Sequence, residues 1–432
     1  PKPQLALLGE KPTAKNAATI LRPIAERAWR RTLRAGELNP IVALVQAKAP
    51  ELGDVEALKE GVVAILVSPA FLLLNTDDLT PAERFAAKFS YFLNGTLPDA
   101  DLRAAVAAGK LDTPAGIRAE LERRLRAGQG AAFLRSLPYA WLRLSDINFM
   151  APDPDRYRFY HRKNLSEDMI QEALHFFRHF IEHDRPLPEF LSADYSFINA
   201  DLAQLYGVPD APQDSTFRKH VFRDGRRGGL LGMGAFLTTT ADSLATSPIH
   251  RAVYVMENFL GIHPAPPPPD VQIEEPDVRR AKTIRQLLDA HRADANCAAC
   301  HRNIDPYGFA FENFDPTGAW RDVYQTHPPE ARGKTVTLPI EAHATFRNGR
   351  SYRDIAGYRA ALLTPVNRDR FVRCFITKAL TYANGAEPAK AHHAEIEKIL
   401  THSATRKHRI LDTLAALIHS PLFREKQHPV SK

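Results

Sequence analysis

Cys297-Ala298-Ala299-Cys300-His301 is the stretch of this sequence best suited to chemistry. Two thiols three residues apart, with an imidazole directly after the second, form the attachment pattern of a covalently bound c-type haem. The spacing follows from the chemistry. Each thiol adds to one vinyl group of the porphyrin, and one helical turn brings both thiols to one side. The next residue then sets a neutral imidazole within reach of the iron. With three cysteines and 17 histidines in 432 residues, chance supplies the pattern about once in two thousand chains of this composition. Three other readings compete. A zinc ribbon needs a second pair of thiolates, and only Cys374 is left. A thioredoxin-like redox pair belongs to a βαβ setting, whereas the flanking sequence reads as helical. A structural disulfide has no use for the histidine. The sequence therefore predicts one covalently bound haem c on Cys297 and Cys300, with His301 as the proximal ligand.

The distal ligand is open. Met233 lies in Gly228-Gly229-Leu230-Leu231-Gly232-Met233-Gly234, where glycines let the backbone approach a bulky group. It is the tentative thioether ligand, against a role as core filler. His250, Met256, His263, His327 and His343 are further candidates. Tyr307, Phe309, Phe311, Phe314 and Trp320 offer an apolar wall for a porphyrin, a reading that overlaps with ordinary core. Arg302 and Arg321 are candidates for the propionates through bidentate pairing, against an ordinary surface role for either. An iron open to peroxide or oxygen would take Glu312, His327 or His343 for proton transfer. His175, His179 and His183 share one helix face. Nothing nearby completes a ligand set, which favours polar positions beside the Phe176, Phe177 and Phe180 face over a metal site.

The elements that must position these residues read as helices. Residues 1–75 are helical, with Ile20, Ile24, Ala25 and Trp29 on one face and a stop at Gly36. Thr80-Pro81-Ala82-Glu83 opens a helix with a cap, a proline at the first position and a closing Glu. Pro98-Asp99 and Thr113-Pro114 open two more, ended by Gly109 and Gly128. A long helix follows over 166–183, and Ser247-Pro248 starts another that runs to Leu260. Pro264-Ala265-Pro266-Pro267-Pro268-Pro269 form a stiff strut. A helix over 283–294 feeds Cys297. Residues 333–348 alternate as a strand, and 364–386 form a helix carrying Cys374. The predicted fold is mainly α, with at most a small β-hairpin near 333–348. Four regions are expected: a helical domain over 1–160, a central helical region with the Gly-rich loop over 161–263, the proline strut and haem segment over 264–330, and a C-terminal helical region over 331–432.

Composition sets outer bounds. Apolar residues make up 44% and charged residues 25%, as in soluble globular proteins. No run of eighteen apolar residues marks a membrane-spanning helix. The chain starts Pro1-Lys2-Pro3, without a basic-then-apolar leader, and reads as a processed or trimmed product. Covalent haem is attached outside the cytoplasm, so a periplasmic or extracytoplasmic location is expected. The net charge of +7 comes without a basic run, which argues against nucleic acid. It suits an acidic redox partner protein or an anionic polymer, against a merely soluble basic surface, and a small organic substrate is a further expected partner.

Several stretches carry a family resemblance: Leu66-Val67-Ser68-Pro69-Ala70-Phe71, Phe89-Ser90-Tyr91-Phe92-Leu93, Ala193-Asp194-Tyr195-Ser196-Phe197-Ile198-Asn199, Thr246-Ser247-Pro248 with Glu257-Asn258, the proline run, and residues 297–320. In that order they resemble the planctomycete-type c-type cytochrome proteins, whose modules are mostly catalogued as domains of unknown function. The resemblance implies a mainly helical, exported haem protein, discussed in electron transfer and polymer breakdown. Two function classes follow. One is an electron carrier within an oxidoreductase system. The other is a haem c enzyme, peroxidase- or oxidase-like, acting at an open iron. A scaffold with a vestigial haem is a third reading.

Overall fold

Proline starts and glycine stops give this chain its rhythm of short helices. The computed structural model describes residues 8–9, 12–73, 79–209, 212–265, 283–291, 295–326 and 335–425. The chain divides into two units, Pro1–Glu120 with Arg126–Phe133, and Leu121–Leu125 with Leu134–Lys432.

In the first unit, α1 (Ala17–Ala28), α2 (Asn39–Leu52) and α3 (Asp54–Leu66) close around Leu21, Ala25, Val45, Leu58 and Ile65. Gly61 marks their closest approach. A Cβ there would stand 2.7 Å from Val45 Cγ2 and 2.8 Å from Leu21 Cδ1. Ile20 and Ile24 pack only partly against this core, with Leu21 deeper. α1 stops well before Gly36, because Arg30 turns to φ 64. Its buried guanidinium donates to the carbonyls of Ala70 and Leu73 and fixes the exit of the chain. α4 (Pro81–Asn94) begins with the expected capping box. Thr80 Oγ1 accepts from the Glu83 N–H, and the Glu83 carboxylate accepts from the Thr80 N–H at 3.0 Å. α5 (Ala100–Ala107) is capped by Asp99, which accepts from the Leu102 N–H at 2.8 Å. The unit boundary runs through α6 (Pro114–Arg126) and α7 (Ala131–Trp141).

The second unit gathers around aromatic side chains. Phe176 and Phe180 of α8 (Leu165–Glu182) meet Phe190, whose ring lies 3.7 Å from that of Phe180. Trp141 packs edge-on to Phe190 and Phe375. α9 (Ala200–Tyr206) and α10 (Gly234–Thr239) line one side. α11 (Pro248–Tyr254) is capped by Ser247 and passes into a π turn, Val255–Phe259, before Leu260. At that helix end the Asn258 carbonyl accepts from Trp141 Nε1 at 2.8 Å and from Cys374 Sγ at 3.3 Å. α12 (Ile284–His291), α13 (Ala295–Ile304), α14 (Ile355–Leu362), α15 (Pro365–Asn384), α16 (His393–Thr405) and α17 (Ile410–His419) complete the helices used below. Cys374 on α15 is buried, which pushes its thiol up to about 12.

The protein is mainly helical, as expected, and its sheets are small two-stranded antiparallel ribbons. The strand expected near 333–348 is Val336–Pro339, and its partner is the earlier strand Val323–Thr326. Two more ribbons, Tyr195–Ile198 with Arg218–Val221 and Ala344–Thr345 with Ser351–Tyr352, lack a sequence signal strong enough to announce them. Pro266 to Pro269 lie outside the described residues.

Candidate functional site

The Cys-Ala-Ala-Cys-His segment sits on α13. Cys300 is exposed and unbridged, while the side chain of Cys297 lies outside the described residues. His301 Nδ1 lies 2.8 Å from Asp305 Oδ1. The His301 side chain is 15% exposed and that of Asp305 only 3%. A carboxylate only accepts, so Nδ1 is the donor, and in the neutral ring Nε2 keeps the lone pair. α13 then turns sharply through Asp305–Tyr307 and Phe309–Phe311. That turn is pinned against α11. A Cβ on Gly308 would overlap the Pro248 carbonyl oxygen.

The aromatic residues that follow form a clamped shelf. Phe309 packs with Ile284, Leu288 and Tyr324 beneath the guanidinium of Arg285. Phe311 meets Phe236 and Tyr358 at ring distances of 5.0 and 5.2 Å. Phe314 meets Trp320 at 5.2 Å. Phe309, Phe311 and Phe314 are thus enclosed by the chain's own side chains. Tyr307 is half-buried against Phe346, and its carbonyl accepts from the Tyr358 hydroxyl at 3.0 Å. Trp320 donates to Asp322 and carries Arg226 over its ring.

Two buried arginines hold this shelf, and sequence reasoning named neither. Arg251 donates to the carbonyls of Leu237, Phe311, Phe314 and Asp315 and lies 3.6 Å from Glu312. Arg227 donates to the carbonyls of Gly232 and Gly318 and stacks over Tyr206. Burial lowers both from the usual guanidinium range, Arg251 to about 10. Glu312, a candidate proton donor from sequence, is committed here. Thr246 and Tyr324 donate to its Oε2, and Arg251 and Arg321 flank it. Arg321 also uses its fork internally, on the Glu312 carbonyl and the Thr246 hydroxyl. Arg302 is exposed on α13.

Met233 is 2% exposed and stands at the start of α10. The glycines around it serve the chain itself. A Cβ on Gly234 would crowd the Tyr206 hydroxyl and Met169, and Gly229, at φ 57, lies against the Phe190 carbonyl. Glu172 anchors the same corner, accepting from Ser196 at 2.6 Å and Tyr206 at 2.7 Å. Met256 is buried, and His250, His263 and His343 are exposed. His327 lies outside the described residues.

The histidine stripe on α8 is an aromatic stack. His175 stacks on Phe217, and His179 packs between Tyr195, Phe197 and His183. Among the described residues no group of three or more His, Cys, Asp or Glu is arranged to hold a metal. Burial first, then His183, Lys219 and Arg185, holds the His179 imidazole down at about 4 against an ordinary 6.5. The unfolded chain therefore binds the extra proton first. The stabilisation is complete above pH 6.5 and fades as pH falls toward 4. His179→Gln should flatten the loss of stability between pH 7 and 4.5, read as urea midpoints. An unchanged slope would sink this assignment.

Four family models match in succession. Each is described as a protein of unknown function: DUF1595 at residues 16–75, DUF1592 at 79–208, DUF1588 at 227–324 and DUF1585 at 348–423. These are the domains typical of the planctomycete cytochrome c family. The chain belongs to that family. The DUF1588 match spans α13, the shelf and both buried arginines. No curated protein and no solved structure matches the chain. Among the described residues no helix is long and apolar enough to cross a membrane.

Proposed function

We propose that this protein is a c-type haem protein that transfers electrons within an extracytoplasmic oxidoreductase system. Cys297 and Cys300 would hold one haem c through thioethers, and His301 would offer Nε2 to its iron. The observation that carries the reading is the single helix presenting the Cys-Ala-Ala-Cys-His pattern with the His301 ring already oriented through Nδ1. The residues fit the group: Cys300 is exposed and unbridged, as thioether formation requires. Haem c bound there supplies one-electron chemistry. The chain's own part is to fix the imidazole, to support it on the clamped shelf, and to offer a basic surface to an acidic redox protein.

The test is expression in a host that attaches haem outside the cytoplasm. A haem-stained band that survives denaturing electrophoresis is expected, together with a pyridine haemochrome spectrum of the two-thioether type. Colourless protein overturns the proposal. The reduced spectrum should not change under carbon monoxide. Ready binding of the gas replaces the carrier with the open-iron enzyme, acting on an organic or polysaccharide substrate.

A further inference from the structure

Asp305 is more than the residue after a helix. It stands four positions beyond His301, so the two side chains share one face of the turn. Its carboxylate is nearly closed off from water, and its backbone is held from several directions. The Gly308 N–H donates to the Asp305 carbonyl at 2.9 Å. Tyr352 donates to the Pro306 carbonyl at 2.6 Å, and Tyr358 to that of Tyr307 at 3.0 Å. Gly308 leaves no room between this turn and Pro248. These contacts hold the backbone that presents the carboxylate to the Nδ1–H.

The partner's charge matters. A hydrogen bond to an ionised acceptor is roughly twice as strong as one to a neutral carbonyl. It draws the Nδ1 proton away from the ring and enriches Nε2 in electron density. A metal-bound imidazole held by a carboxylate is a stronger donor, and hydrogen bonding around a haem ligand is one of the protein's levers on potential. Ferric iron gains more from a strong donor than ferrous iron does.

We propose that Asp305 is the positioning residue that sets the reduction potential of the haem, acting through His301 to stabilise the ferric state. This inference rests on the haem c reading above. It assigns the lowering of that potential to one side chain.

The experiment uses the haem-loaded full chain. Asp305→Asn keeps the shape and an acceptor oxygen but loses the charge. Spectroelectrochemical titration should show the ferric-to-ferrous equilibrium moved at least tenfold toward ferrous, about 59 mV upward for one electron. Asp305→Glu keeps the charge and should return most of that shift. Proton NMR of the unsubstituted ferric protein tests the same contact without a mutation, so a variant that fails to fold does not end the matter. The His301 ring N–H should exchange with deuterium far more slowly than an exposed imidazole. A potential unchanged in Asp305→Asn, or a ring N–H that exchanges at the exposed rate, overturns the role of Asp305 while leaving the haem in place. Unsubstituted protein without haem instead overturns the reading beneath it.

Discussion

Arg251→Ala should lower the stability of the second unit by about 3–5 kcal/mol, because it strips a buried carboxylate of a cation and several carbonyls of their donor. The side chain is wholly buried on α11, and it gathers carbonyls from α10 and from both ends of the aromatic shelf. Removing it leaves Glu312 with the Arg321 cation at 3.5 Å and the two hydroxyls of Thr246 and Tyr324. The loss corresponds to roughly 5–8 °C in melting temperature for a unit of this size. Thermal unfolding followed by circular dichroism checks it. Arg321→Ala is the comparison. That side chain is 20% exposed, water can replace part of what it does, and the drop should be smaller. Equal drops for the two variants would show that burial is not what makes Arg251 costly to lose.

Gly308→Ala should cost about 3 kcal/mol or more, since the new methyl meets backbone rather than a yielding side chain. Its Cβ would overlap the Pro248 carbonyl oxygen and lie 3.1 Å from the Ala252 Cβ. Relief requires the turn after α13 to move off α11, and that turn carries Asp305. Thermal melts measure the loss, and the yield of covalently attached haem reports displacement of His301. Gly349→Ala serves as the control. No atom lies within 4 Å of its Cβ, but its φ is +81, so it should lose only about 1 kcal/mol from backbone strain. If Gly308→Ala melts like Gly349→Ala, the contact with Pro248 is not tight in solution.

Much of the local architecture was readable in the chain. Thr80 and Glu83 announce a helix start because a capping box closes within four residues. Thr283 and Gln286 do the same for α12, each side chain meeting the other's N–H at 3.2 Å. The spacing of Cys297, Cys300 and His301 implies a helix, and α13 is one. Other readings stopped short. The end of α1 was placed too late because the left-handed turn at Arg30 depends on carbonyls some 40 positions along the chain. The glycines flanking Met233 read equally well as making room for a porphyrin or for Tyr206 and Met169, and only packing distinguishes the two.

The aromatic stretch after His301 shows the same division. Its composition states that something apolar must be covered, but the covering partners Phe236 and Tyr358 lie far off in sequence. Arg251 and Arg227 look like ordinary surface charges in a sequence, because nothing local tells a buried ion from a solvated one. Sequence by itself determined the mainly helical class, the helix starts and the chemistry available at Cys297, Cys300 and His301. Those depend on contacts between residues one to four positions apart, whose geometry the helix repeat dictates. Tertiary structure alone decided which charges are buried, that Glu312 and Arg321 serve the scaffold, and that Asp305 is held rigidly against His301. Partners such as Arg251 and the Phe311 carbonyl are 60 positions apart, and no local pattern encodes a meeting that packing alone brings about.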